Sequence, residues 1–182
     1  MRSRHQFLIL FAVIAAVSCT PPRKLSRTTS SSPSRSTVLR VSHNRLQQLE
    51  RKNKDISKRL LIHQIRYYMG TPYRFGGTSR RGMDCSGFVW KVYQKGMNLE
   101  LPRSASQMYE ECKSIGTKQV TLGDLLFFGS GDSSNVNHVG IFLYKTYFAH
   151  ASSSYGVLVS DLAEDYYRTR FIGAGRFTGS SF

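Results

Sequence analysis

Two apolar runs of strand length, Leu125–Phe128 and Val139–Tyr144, stand on either side of a stretch rich in Gly, Ser and Asn, and this pair constrains the fold most. Such short runs fit buried strands, and the polar stretch between them returns the chain like a hairpin. A third segment, YFAHASSSYGVLVSDL over residues 147–162, follows almost at once. His150 lies twelve residues after His138, a spacing that allows a tight turn between adjacent antiparallel strands. On neighbouring strands the two rings can meet edge to edge.

Upstream, the pattern changes to helical spacing. Phe88, Val89, Val92 and Tyr93 recur at helical intervals behind a loop with glycines at 70, 76, 77 and 82. Asp55 is placed to cap a helix that runs to about Met69, where Gly70 and Pro72 stop it. Before that, Leu39, Leu46, Leu49, Ile56 and Leu60 fall at steps of seven, three, seven and four among charged residues. The expectation for residues 38–62 is a basic, helical linker that lies on lipid or packs loosely on the domain, its charges forming a solvated face.

The length of 182 residues allows one domain of ordinary size with ends that need not fold. Its net charge of +15 is the unusual quantity. Residues 20–62 hold eleven basic and two acidic side chains, and residues 63–182 hold thirteen and nine. Most of the basicity therefore precedes the domain, where it favours an anionic surface such as lipid head groups. Aromatic and basic residues are not interleaved there and a secretion signal comes first, which argues against nucleic acid.

That signal occupies residues 1–18. Arg2 and Arg4 precede an apolar run from Phe7 to Val17, then small residues and Cys19. About eleven apolar residues are too few to span a hydrocarbon core, which needs roughly 20. Ala16, Val17, Ser18 and Cys19 resemble the lipobox of bacterial lipoproteins, and the resemblance implies lipidation of Cys19 after cleavage before it. Plain cleavage near Ala15 or Ala16 is the alternative. Residues 19–37, dominated by Ser, Thr, Pro and Arg, read as a disordered tether, which leaves 63–182 as the folded domain.

Cys85 falls near the start of the helix, with Asp84 as its cap. The positive end of a helix and a nearby imidazolium lower a thiol's pKa to roughly 3.5–7.5, which makes a ready nucleophile. His138 stands where a strand begins, a rigid mount for a base facing the sulfur. His150 is placed to orient His138 and fix its tautomer.

In order along the chain come GTPYRFGG, DCSGFV, LPRSASQ, GDLLFF, HVGIF and HASSS. In these blocks the chain resembles the NlpC family of cell-wall cysteine peptidases, from about Ile65 to Phe177. The resemblance implies an α+β, papain-like fold with N-terminal helices packed on an antiparallel sheet. It implies Cys85 as nucleophile, His138 as base and His150 as the third, orienting residue. Tyr73 would stand near the attacked carbonyl, its hydroxyl joining the Cys85 amide in an oxyanion site. Asp84 and Ser86 would help bind substrate, and Arg103 would support the site or form a structural salt bridge. Phe142 replaces a tyrosine common in the family.

The implied substrates are peptidoglycan stem peptides or their cross-links, cut at a γ-D-glutamyl-diaminopimelate or D-Ala-diaminopimelate bond. No cofactor and no metal are expected. The enzyme would be monomeric, attached through lipidated Cys19 to the outer membrane and facing the periplasm. Three readings stay beside this one: a lipoprotein that binds stem peptides without cutting them, an acyltransferase with the same Cys and His pair, and a zinc site from the cysteine and two histidines. Cys112 is read as a structural free thiol, since pairing it with Cys85 would disable the nucleophile.

Overall fold

Six antiparallel strands in the order β3-β8-β4-β5-β6-β7 form the sheet on which everything else is arranged. They are β3 (Lys113–Ile115), β4 (Leu125–Gly129), β5 (Val136–Tyr144), β6 (Tyr147–Ser152), β7 (Gly156–Asp161) and β8 (Phe171–Arg176). Ahead of them in the chain come α1 (Arg35–Lys52), α2 (Ile56–Tyr68), the two-residue strands β1 (Thr78–Ser79) and β2 (Gly82–Met83), α3 (Cys85–Gly96) and α4 (Ala105–Glu111). A single turn, α5 (Asp165–Arg168), joins β7 to β8. These coordinates are a computed structural model and describe residues 33–130 and 135–177. The leader, Cys19 and the tether as far as residue 32 lie outside the described residues.

Alternation along the strands sorts side chains into two layers. Val139, Ile141 and Leu143 of β5, with Ala149, Ala151, Val157 and Val159 of its neighbours, face the helices and join Leu61, Ile62, Ile65, Phe88, Val89 and Val92 in the main core. The opposite face carries a smaller cluster of Leu126, Phe128, Phe148 and Ala174, against which Phe142, Tyr167 and Phe171 pack. The hairpin of β4 and β5 and the turn into β6 follow the strand pattern of the sequence, with Phe128 opposite His138 and Ile141 opposite Ala149.

The segment 38–62 differs from its expected form. It is two helices belonging to the domain, and the expected boundary at residue 63 falls inside α2. Asp55 caps α2 as its position implied, accepting from the Lys58 amide. The first helix starts at Arg35, capped by the Ser34 hydroxyl, and so takes in the last residues assigned to the tether.

Leu46 is fully buried in the main core. The buried Ser42 hydroxyl accepts the Val159 amide of the edge strand at 3.2 Å. Arg45 lies over the Tyr147 ring, 4.1 Å from its centroid. A thin apolar stripe looked like a solvated helix because polar residues make much of its contact, and they cover an edge that would otherwise be open to strand addition.

Leu46→Ala is therefore expected to destabilise the protein by about 2–5 kcal/mol, while Leu60→Ala, at a half-exposed position, changes stability by less than about 1 kcal/mol. Urea denaturation measures both. Equal, small losses would return α1 to the status of a loose linker.

Candidate active site

Cys85 opens α3, and the residue before it fixes where that helix starts. Asp84 caps the helix, its Oδ1 accepting from the Gly87 amide at 2.6 Å and its Oδ2 from the Gly76 amide at 2.8 Å. Arg103 closes on the same carboxylate with Nη1 at 3.1 Å from Oδ1 and Nη2 at 3.0 Å from Oδ2. It also donates to Ser86 Oγ at 2.9 Å and to the Gly77 carbonyl at 3.4 Å. Burial alone pushes the Asp84 carboxyl up, but Arg103 and the Gly87 and Gly76 amides outweigh it and hold the group below the usual range. Gly87 is required for this closeness, since a Cβ there would lie 2.2 Å from the Gly77 carbonyl oxygen and 2.9 Å from Arg103.

The thiol lies against β5 on both sides of His138. Sγ is 3.9 Å from the Asn137 carbonyl, and the Val139 amide faces the sulfur. His138 stands opposite Phe128 of β4 and is tilted over its ring, with centroids 5.8 Å apart. Pairing of β5 with β6 ends at Ile141 and Ala149, so His138 and His150 project beyond the last paired rung. Their rings meet edge-on, with centroids 5.0 Å apart and planes at 87°. Gly140 leaves room for this, because a Cβ there would be 2.6 Å from Phe148 and 3.2 Å from the His150 Cβ.

The hydrogen bonds around the rings form a directed chain. His138 Nε2 is 2.9 Å from His150 Nδ1, and His150 Nε2 is 2.9 Å from Ser160 Oγ. Ser160 Oγ donates to the Tyr167 hydroxyl at 3.3 Å, and that hydroxyl is 3.2 Å from His150 Nε2. For His138 to take a proton from sulfur, one of its nitrogens must be bare. With Nε2 donating to His150, the bare nitrogen is Nδ1, and His150 then carries its proton on Nε2 and donates to Ser160. One tautomer for each ring satisfies every partner.

Burial sets the charge of these groups. It pulls His138 down to about 4 and His150 well below the ordinary imidazole value, the latter also through its closeness to His138. Burial pushes the Cys85 thiol up, with Asp84 adding to the rise, against opposing amides of Val139, Ser86 and Cys85. The sequence expectation of a thiolate held by an imidazolium is thus corrected for the open cleft. Desolvation outweighs the helix terminus, so burial works against a thiolate and against a charged imidazole alike.

Tyr73 pairs with Met83 in an isolated bridge, and burial followed by the nearness of Cys85 and Asp84 raises its pKa, so it keeps its proton. Cys112 is, like Cys85, unpaired, and burial pushes it up to about 12.

The structure therefore brings Cys85, Tyr73, Asp84, Ser86 and Arg103 to one side of the cleft and His138 and His150 to the other. Cys19 lies outside the described residues. Ser160 and Tyr167 went unread in the sequence. A lone serine in the apolar strand GVLVSD was the available signal, whereas nothing in the sequence around Tyr167 sets it apart from other aromatics. Among the described residues no cluster of His, Cys, Asp and Glu is arranged to hold a metal ion, and no helix is long and apolar enough to cross a membrane.

Residues 70–176 match the NlpC/P60 family. The chain belongs to that family. It is 36% identical over 148 residues to the murein DD-endopeptidase MepS/murein LD-carboxypeptidase of Escherichia coli K12, covering 81% of this chain and 77% of that one. It also matches a crystal structure of a "similar to lipoprotein" NLP/P60 protein from Staphylococcus aureus, with a TM-score of 0.63 and 34% identity over 70% of this chain and 43% of that one.

RipD of Mycobacterium tuberculosis, described as a non-catalytic NlpC/p60 domain protein, has the same fold, with a TM-score of 0.54 and 24% identity over 68% of this chain and 98% of that one. The NlpC/P60 fold alone therefore does not decide catalysis, and the side chains must. With the thiol and both rings in place, this family member is an enzyme of the cysteine-peptidase type.

On a Cys112→Ser background, iodoacetamide modification of Cys85 should keep accelerating with pH past about 8.5, since the thiol titrates above its ordinary value. Peptide mass spectrometry reads the modified site. A rate already flat below neutral pH would show a preformed thiolate.

Proposed function

We propose that the chain is a lipid-anchored endopeptidase that hydrolyses amide bonds in peptidoglycan stem peptides or their cross-links. The observation that carries this is the chain of bonds from His138 through His150 to Ser160, which starts on the strand whose Asn137 carbonyl lies 3.9 Å from the sulfur of Cys85. A protein that only bound peptides would have no use for a buried pair of imidazoles held at the far end by Ser160 and Tyr167.

In this reading Cys85 attacks the substrate carbonyl while His138 Nδ1 takes the thiol proton, so the imidazolium appears only as the carbon–sulfur bond forms. The new charge is spread by the His138–His150 bond, and the rings cannot turn because Ser160 and Tyr167 hold the far end. The Tyr73 hydroxyl and the Cys85 amide stabilise the oxyanion. His138 gives its proton to the departing amine, leaving a thioester on Cys85. Water, losing a proton to His138, then releases the acid and restores the thiol. Asp84 and Arg103 act here by fixing the start of α3, with Ser86 on the rim of the acyl side.

Digestion of purified peptidoglycan under reducing conditions, with products identified by mass spectrometry, tests the reading. Wild type should yield new peptide amines and carboxylates. Cys85→Ala should lose at least about 1,000-fold in rate and still sediment with peptidoglycan. Equal cleavage by both would remove Cys85 from the chemistry, and intact peptidoglycan with wild type would leave binding as the function.

The leader of residues 1–18, followed directly by Cys19, supports attachment to the outer membrane, facing the periplasm. Cells given a fatty-acid probe should label the wild-type chain and not Cys19→Ser. Undiminished labelling of the variant would remove this anchor.

A further inference from the structure

The cleft is two depressions that share Tyr73 and Asn137. One holds Cys85, Asp84, Ser86 and Arg103, and the other, with a volume of about 340 Å³, holds His138, His150, Tyr166, Tyr167 and Arg170. The acyl group stays on sulfur and the amine departs with a proton from His138. The acyl part of the substrate thus belongs in the first depression and the leaving part in the second.

The arginines of the two sides differ. Arg103 is committed to Asp84, Ser86 and the Gly77 carbonyl. Among the described residues Arg170 has no carboxylate partner, and no Asp or Glu among them lines its depression. It is nevertheless held in place. Its carbonyl accepts from the Gly129 amide at 2.9 Å, which pins it to the end of β4. Its Nη1 donates to the Tyr166 carbonyl at 3.0 Å and to Thr169 Oγ1 at 3.4 Å, and the guanidinium lies 4.1 Å from the Tyr166 ring centroid. Among the described residues Nε and Nη2 make no hydrogen bond, and these donors suit a carboxylate.

We propose that Arg170 binds a free α-carboxylate on the residue whose amine departs, and so selects substrates in which that carboxylate sits beside the bond being cut. Such a residue is either the last of a peptide or the D-configured end of a diamino acid in a cross-link. A residue whose carboxyl is already in an amide lacks the charge. The inference rests on the proposed peptidase reading and narrows it to these bonds. Because the guanidinium is already stacked and tethered, little ordering remains to be done on binding.

The test uses the full chain and two synthetic stem-peptide cross-links that differ only in the leaving residue, with a free α-carboxylate in one and an α-carboxamide in the other. Wild type should favour the acid by about 10- to 100-fold in kcat/KM. Arg170→Gln should bring the ratio of acid to amide near one, and Arg170→Lys should keep part of it. Since each ratio is measured within one preparation, a smaller folded fraction cancels. A wild-type ratio near one, or a ratio that survives Arg170→Gln, would overturn the assignment to Arg170 while leaving the peptidase reading intact. Cleavage of neither substrate by wild type would overturn both.

Discussion

The carboxylate of Asp84 is the constraint on which the site depends. It is buried, and its two oxygens take the Gly87 and Gly76 amides, both ends of the Arg103 fork and the Ser86 hydroxyl. Three separate stretches of chain are thereby tied at one point: the glycine loop, the start of α3 and the segment leading into α4. Cys85 follows Asp84 directly, so the position of the sulfur is set by the cap. A charge taken out of water is tolerated only when every lone pair is engaged. That condition explains the glycines around it, because no side chain at position 87 fits between the carboxylate and the arginine.

The same carboxylate opposes ionisation of the neighbouring thiol. Burial and the Asp84 charge raise the Cys85 pKa, and burial lowers those of His138 and His150. A low-dielectric site stabilises a neutral pair over an ion pair unless something compensates the charge. A bound substrate would do so, because proton transfer would coincide with formation of the oxyanion beside protonated Tyr73. The chain His138–His150–Ser160–Tyr167 contains no carboxylate, so it works by orientation and polarisation.

Much of this architecture was legible in the chain. The β4–β5 hairpin, the turn into β6, the cap at Asp55 and the meeting of the two histidine rings all follow from strand length, turn residues and spacing, which are local properties. What could not be read depends on contacts distant in sequence. Ser42 and Val159 are 117 positions apart, and no periodicity announces that a serine hydroxyl will cover an edge strand. Ser160 and Tyr167 acquire meaning only once β6 and β7 are paired, His150 opposite Leu158. The direction of the thiol's shift was missed for a related reason. A helix start is visible in sequence, whereas the depth at which the helix is buried is not.

The net charge of the protein and its chemistry are kept apart by the fold. The two acidic side chains of α1, α2 and the turn between them are both engaged, Glu50 with Arg66 and Asp55 as a cap, and the other basic residues of that segment make no close ion pair among the described residues. At the cleft burial opposes ionisation of the thiol, of both imidazoles and of Tyr167. A field strong enough to draw the chain to an anionic surface would disturb an ion-pair nucleophile, but it has little hold on uncharged partners. Packing the relay against Phe128 and Phe148 thus separates attraction to a surface from reactivity, and the two can vary independently in one small domain.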